Sequence, residues 1–295
     1  MTPRSVIGSF VRAFGVVLGV VGCAAVAAAM LVALGLPAQG RADDGPPSEP
    51  TLIPEPRPST LVVALDLRDP VRQAGVVKGR DVILARGLEV DIAREIAQRV
   101  GVPKVRFVYV RPAARLLAAK APSWHLGIAS IRATPSAAAA ADLSDPYLDT
   151  DQAVVLRRGL SRLANLGELR VLRSCALRGS DGSRALATVV SPAVNPLLPS
   201  SAERLFQLVQ TGVCDAVLVD AGDAGRFLAG RGGLLGPVNA RVPYGNGYAL
   251  SVTRGGPIAA AEVGVALRRM RADGTMHRLA RKWLQIDPAR LRVLR

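Results

Sequence analysis

The chain has 295 residues, 49% of them hydrophobic and 4% aromatic, with 38 Lys and Arg against 23 Asp and Glu for a net charge of +15. That length suits two domains of ordinary size, each with its own core. A positive balance can mean nucleic acid, anionic lipid or an acidic ligand, but so few aromatics make no stacking platform and no nucleic-acid motif occurs, so no nucleic-acid partner is expected.

Arg4 and Arg12 precede an uncharged apolar run, residues 13–38. A bilayer core needs about 20 such residues and a signal-peptide core about 7–15. Residues 1–40 therefore read as a signal peptide or an amino-terminal membrane anchor. The leading arginines send the rest of the chain out of the cytoplasm in either case. Lipidation at Cys23 is a third option, weakened by the apolar residues that continue beyond it. Residues 41–59, with six prolines, read as a stiff linker.

In the body, "TLVVALDL" from Thr60 is a strand apolar on both faces. "GLEVDIAREIAQRVGV" sets Val90, Ile92, Ala93, Ile96, Ala97 and Val100 on one helical stripe, stopped at Gly101. "VRFVYV" is a strand, "AARLLAAKA" a short helix and "WHLGIAS" a strand. After the acidic stretch "DLSDPY", "QAVVLRRG" is a connecting strand. A second cycle follows: "LRVLRSCAL" as a strand, "GSDGSRALATVV" as a glycine turn and helix, "SAERLFQLVQTG" as a Ser-capped helix, and "VCDAVLVDAGDAGRFLAG" as strand, turn and helix. "NGYALSVTR" is a strand, and the last segment is two helices broken at Asp273-Gly274. Alternating strands and helices predict an α/β fold of two Rossmann-like units joined twice, with a crevice at the carboxyl ends of the strands.

Chemistry-bearing patterns are few. No metal site has ligand-like spacing, no Ser-His-Asp or Cys-His arrangement is present, and no phosphate-binding loop occurs, so no cofactor is expected. His125 and His277 read as structural. Cys175 and Cys214 are free to pair in an exported chain, a closure worth about 4 kcal/mol on the chain-entropy model, with two buried thiols as the alternative.

Taken in order and spacing, "GLEVDIAREIAQRVGV", "ATP" followed by "DLSDPY", "GVCDAVLVDAGDAGRFL", "GNGYALSV" and "ADGTMHRLARKWL" resemble the periplasmic solute-binding proteins of the polar amino acid class. These are the family 3 extracellular receptors of ABC importers. The resemblance covers about residues 60–286. It implies a type II periplasmic binding protein fold: lobe 1 from residues 60–150 and 241–295, lobe 2 from 151–240, and a two-stranded hinge. It implies a clamp that closes over a small polar or zwitterionic ligand, without catalysis, and presents it to an ABC permease or other envelope protein. It also implies a Cys175–Cys214 disulfide within lobe 2.

By the same resemblance, Asp220 pairs with the ligand ammonium, Ser130 meets its carboxylate, and Gly179, Ser180 and Asp181 lie at the start of a lobe 2 helix. Departures from the family are as informative. Ala137 stands where the family has its carboxylate-clamping Arg, and no methyl group replaces a bidentate guanidinium. Arg132 stands nearby where a Ser or Thr is usual. Asp69 and Arg72 replace aromatics that would sandwich the ligand, and Arg111 flanks the place of another. With Asp66 added, the expected cleft is charged and suits a polar body over an apolar one. Two other readings remain: an accessory docking protein of an envelope complex with a degenerate cleft, and a dehydratase on the same frame.

Overall fold

The computed structural model describes residues 57–118, 122–229 and 235–295. The apolar run at 13–38 and most of the predicted linker lie outside them. Among the described residues no helix is long and apolar enough to cross a membrane.

The elements follow in chain order. β1 (Leu61–Leu65) is followed by a hairpin of β2 (Ala74–Lys78) and β3 (Asp81–Arg86), then α1 (Leu88–Arg99), β4 (Val105–Tyr109) and α2 (Arg115–Ala118). Next come β5 (Leu126–Arg132), α3 (Pro135–Ala140), the two-residue β6 (Asp142–Leu143), β7 (Gln152–Arg157), α4 (Leu166–Arg170) and β8 (Ser174–Ala176). α5 (Asp181–Ala185) runs into a π-helical turn at Leu186–Val190, followed by α6 (Ala202–Gln210), β9 (Ala216–Asp220) and α7 (Ala224–Leu228). β10 (Leu235–Val242), β11 (Tyr248–Val252), α8 (Ala260–Ala272), α9 (Thr275–Leu284) and a 3-10 turn at Pro288–Arg290 complete the chain.

Two sheets result, ordered β2-β3-β4-β1-β5-β11-β6 and β10-β7-β9-β8. β1 sits in the middle of the first, parallel to both β4 and β5, which is why its sequence is apolar on both faces. One face buries the α1 stripe of Val90, Ile92, Ala93 and Ile96 together with Leu267 and Met270 of α8. Ala64, Val108, Leu116, Trp124 and Ile131 form a smaller core on the other face. The second sheet carries its own cores, one around Leu169, Leu186 and Leu218, the other around Leu205, Val209 and Phe227. The latter contains the Cys175–Cys214 disulfide, whose Cα atoms lie 6.1 Å apart.

Local signals set the element ends. Thr134 accepts a hydrogen bond from Ala137 N at the start of α3, with Pro135 in the first turn. Ser180 and Ser201 cap α5 and α6 in the same way. Gly101 and Gly274 adopt positive φ just past α1 and α8, where the sequence predicts both stops.

The chain passes between the sheets at residues 148–151 and again at 243–247. Thr150 Oγ1 ties the two passages together, donating to Tyr244 O at 3.0 Å and accepting from Gly247 N at 3.2 Å. A Cβ at Gly245, which has φ +83°, would come within 2.5 Å of that hydroxyl.

Three parts differ from the sequence expectation. The β2–β3 hairpin lies in a stretch with no clear period, because it is an edge with Val76, Ile83 and Leu84 exposed. Only Ser174–Ala176 of the predicted "LRVLRSCAL" strand is extended; its first part belongs to α4 and a turn. The third difference corrects the assignment of residues 241–295 to lobe 1. Leu294 is fully buried in the second sheet's core, Val293 bridges to Arg241, and Leu294 N donates to Arg241 O at 2.9 Å. The carboxy-terminal tail thus makes a third passage.

Candidate functional site

β8 and β9 run parallel in the second sheet and end at Ala176 and Asp220. Beyond those ends lies a cavity of about 460 Å³. The second-sheet unit lines it with Gly179, Ser180, Asp181, Arg184, Asp220 and Asp223, and the first-sheet unit adds Arg132 and Tyr248. The crevice expected from strand order is therefore present, with walls from both sides.

Asp220 is the last residue of β9 and directly faces Gln152 in the antiparallel pairing with β7. Its Oδ1 accepts from Gly222 N at 2.9 Å and lies 3.6 Å from Arg72 Nη2; Oδ2 carries neither contact. Burial, then the neighbouring Asp223 charge, push its pKa up to about 6 against the pull of Arg72.

Arg72 comes from the loop between β1 and β2 and is buried. It reaches Asp69 at 3.0 Å, Asp223 at 3.5 Å and Asp220 at 3.6 Å, and its guanidinium lies 5.4 Å from the Tyr248 ring centroid. Burial works against its charge, yet Asp223, Asp220, Tyr248 and Asp69 outweigh it and hold the guanidinium protonated. Arg226 of α7 completes this cluster, 3.2 Å from Asp69 and 2.6 Å from Asp223. Asp69 loses solvation as well, but Val71 N–H, Arg72 and Arg226 bring its pKa below the usual carboxylate range.

A second bridge joins the two walls. Asp181 accepts from Arg132 of β5 and from Arg184 one helical turn on. Arg132 lies 5.7 Å from the Tyr248 ring centroid. An unpaired carboxylate here would repel a ligand carboxylate, and the two guanidiniums offset its charge. Arg132 does enter the crevice, but its partner is Asp181.

The remaining predicted residues divide. Ser130 lies on the first wall beside a second hollow of about 280 Å³, which Arg68, Arg132, Thr134 and Ala137 also line. Its φ of +50° is strained for a side chain with a Cβ, and Glu89 holds it there. Glu89 Oε1 accepts from Ser130 N at 2.9 Å and from Ser130 Oγ at 2.7 Å, and the carboxylate also takes Tyr147 Oη and Gln73 Nε2. Burial raises the Glu89 pKa against those donors. Asp66 is buried behind this wall and pairs with Arg68. Arg111 does not line the 460 Å³ cavity: it lines a hollow of about 660 Å³ with Arg80, Tyr109, Arg115 and Trp124, and another of about 290 Å³ with Arg68 and Pro112.

The acidic stretch "DLSDPY" serves as framework. Asp142 pairs with Arg254 at 2.8 Å, Asp145 with Arg268 at 2.6 Å, and Tyr147 is buried on Glu89. Both histidines are structural as well. His125 Nδ1 accepts from Val62 N at 3.0 Å, and His277 Nδ1 meets Asp287 at 2.7 Å.

Sequence reasoning missed Glu89, Gln152, Asp223, Arg226 and Tyr248. The i,i+3 spacing of Asp223 and Arg226 was a usable sign. Gln152 gave none, since its pairing with Asp220 is a matter of sheet register. Leu177, Leu205 and Phe227 add an apolar part to the otherwise charged and polar lining of the cavity.

A family model for bacterial extracellular solute-binding proteins, family 3, matches residues 83–286. The chain belongs to that family. This solute-binding protein is 25% identical over 214 residues to the ABC transporter glutamine-binding protein GlnH of Bacillus subtilis (strain 168), spanning 69% of this chain and 74% of that one. Its fold matches the L-cystine solute receptor of Neisseria gonorrhoeae in the unliganded open conformation, with a TM-score of 0.62 at 19% identity over 77% and 94% of the two chains. It also matches an ancestral cyclohexadienyl dehydratase, with a TM-score of 0.59 at 21% identity over 77% and 93%. At such identities the solved structures establish a shared fold.

Proposed function

We propose that this solute-binding protein acts outside the cytoplasm as a two-lobed clamp, closing over a small polar or zwitterionic solute and presenting it to the permease of an ABC importer. The observation that carries this reading is the meeting of two charged walls over one cavity. Arg132 of the first lobe and Asp181, Asp220 and Asp223 of the second line the cavity, and Asp69 and Arg72 of the first pair with Asp220, Asp223 and Arg226 of the second beside it.

Arg72 Nη2 stands 3.6 Å from Asp220 and 3.5 Å from Asp223, both beyond the usual N–H···O distance of about 2.9 Å. Neither its Nη2 nor its Nε has a hydrogen-bond partner, although both are buried. A slightly tighter approach of the lobes makes these contacts good, so closure has something to gain beyond the solute itself. Asp220 takes the solute's ammonium group. Arg132, which uses only Nη2 on Asp181, has Nε and Nη1 left for an anionic group in place of the guanidinium absent at Ala137.

The reading is one of binding without turnover. Asp220 has the pKa of a general base, but its charge is coupled to Arg72 and to closure, and neither histidine lines the cavity. The amino-terminal apolar run would serve as an export signal or a tether to the membrane face.

A thermal-shift screen of the purified body with amino acids, amines, polyamines, organic acids and sugars tests the proposal. A true solute at about 100 times its Kd adds roughly 2.7 kcal/mol of stability. Small-angle scattering should show a smaller radius of gyration with the same solute. No response to any class overturns the clamp reading in favour of a docking role, and turnover of a prephenate-like acid overturns it in favour of an enzyme.

A further inference from the structure

The hollow of about 660 Å³ belongs wholly to the first lobe and shares no lining residue with the crevice cavity. Its size is that of a small-molecule site. Its floor is apolar and fixed by the sheet. Val110 and Trp124 are buried members of the smaller core of the first sheet, and Tyr109 ends β4 beside them. Tyr109 N donates to Arg80 O and Val110 N to Leu65 O, both at 2.8 Å, while Trp124 O accepts from Thr253 Oγ1 at 2.6 Å.

The rim is cationic. Arg80 comes from the turn between β2 and β3, Arg111 from the end of β4 and Arg115 from the start of α2, and all three are exposed. Arg80 Nη2 donates to Ser123 Oγ at 2.8 Å, which draws the hairpin turn towards the loop before β5. Arg115 N donates to Pro112 O at 2.9 Å, and that turn brings Arg111 and Arg115 to one rim.

No acidic residue lines the hollow, and among the described residues none of these three guanidiniums is in an ion pair. Asp81, next to Arg80 in the chain, is taken by Arg106 at 2.7 Å. In and beside the crevice the opposite holds, since Arg72, Arg132 and Arg184 each meet a carboxylate of this chain. The crevice neutralises its own guanidiniums, and this hollow leaves three to be neutralised from outside. An exposed guanidinium alone contributes little. A ligand must therefore combine bidentate oxyanion pairing at the rim with burial of a flat body on the floor.

We propose that this hollow is a second solute site, independent of the crevice, for a small aromatic dianion such as an aryl phosphate or aryl dicarboxylate. The ring lies on Tyr109, Val110 and Trp124, and the anionic group meets Arg80, Arg111 and Arg115. All its walls come from one lobe, so binding there needs no closure.

The test is calorimetric titration of the purified protein with phenyl phosphate and phthalate, beside inorganic phosphate as the anion without a ring and benzylamine as the ring with the opposite charge. At least one aryl dianion should bind about tenfold tighter than both controls. R111A combined with R115A should lower that affinity about tenfold, while R132A, on the crevice wall, should bind as the parent does. The chain has two tryptophans, and Trp283 lies elsewhere, its Nε1 donating to Asp91 at 2.8 Å, so in W283F the emission of Trp124 should change with the same ligand. Calorimetry on the unsubstituted protein decides the matter even if W283F folds poorly. Equal binding of inorganic phosphate reduces the hollow to diffuse positive charge and overturns the site. A loss in R132A instead of the double variant puts the ligand in the crevice and overturns it as well. Silence from both aryl dianions overturns this site and leaves the clamp reading, which rests on a separate screen, untouched.

Discussion

Two carboxylates, the buried Glu89 in one half of the molecule and the partly buried Asp220 in the other, show how similar groups come to different ends. Glu89 is enclosed, with the Ser130 amide and hydroxyl, Tyr147 and Gln73 all directed onto it. Asp220 has one backbone N–H and a guanidinium 3.6 Å away, and one of its oxygens carries neither contact. Burial raises the pKa of both. The first has consumed its bonding capacity in holding a strained serine and the "DLSDPY" tyrosine in place. The second keeps capacity in reserve beside an open cavity. A carboxylate with satisfied lone pairs is framework, and one with unmet demand in a crevice is a site.

The largest effect should come from breaking the enclosed carboxylate. Glu89→Ala strands several buried donors and releases Ser130 from its positive φ, so urea unfolding should show a loss of about 4 kcal/mol. An unchanged midpoint would remove the distinction between the two groups. Next is the disulfide, which closes a loop with a sequence separation of 39. Cys175→Ser with Cys214→Ser should lower stability by about 3 kcal/mol, read from the melting temperature under non-reducing conditions.

Asp220 should behave in the opposite sense to Glu89. Its pKa in the fold, about 6, lies above the value of about 3.9 in an unfolded chain. Between these values the folded state binds the extra proton. Asp220 therefore favours the fold fully below about pH 4, and that contribution is lost as pH rises through 6. Asp220→Asn has no such loss, so it should be more stable than the parent by about 2 kcal/mol at pH 7.5, with the gap shrinking towards pH 4. A stability difference that stays constant with pH would show that Asp220 does not titrate with folding. Solute binding carries the complementary sign, since a cation needs the ionised form and its affinity should fall as pH drops below 6.

The smallest change should follow Arg132→Ala. Its side chain is 43% exposed, and Asp181 keeps Arg184, so stability should move by less than about 1 kcal/mol. Affinity for a solute with an anionic group should fall more than stability does. Equal losses would make Arg132 a brace between the lobes rather than a contact.

Much of this architecture was written in local pattern. The α1 stripe, the β1 run, the stops at Gly101 and Asp273-Gly274 and the Ser201 cap all act within a few residues, and each appears where its residues predict. The charged crevice was legible for Asp69, Arg72, Arg132, Asp181 and Asp220, because departures from a family pattern stand out residue by residue. Arg111 was not: adjacency to a loop at a strand end does not say which way the next side chain turns, and it lines another hollow.

The amino-acid order by itself determined the alternation of strands and helices, the family and the sign of the charges brought to the cleft, since these depend on period, caps and composition. Tertiary structure alone decided that Gln152 stands beside Asp220, that the tail returns to the second sheet, and that Glu89 rather than the acidic signature anchors the first wall. Those facts depend on register and on passages between sheets, where partners 41 to 68 residues apart meet through packing that no short stretch encodes.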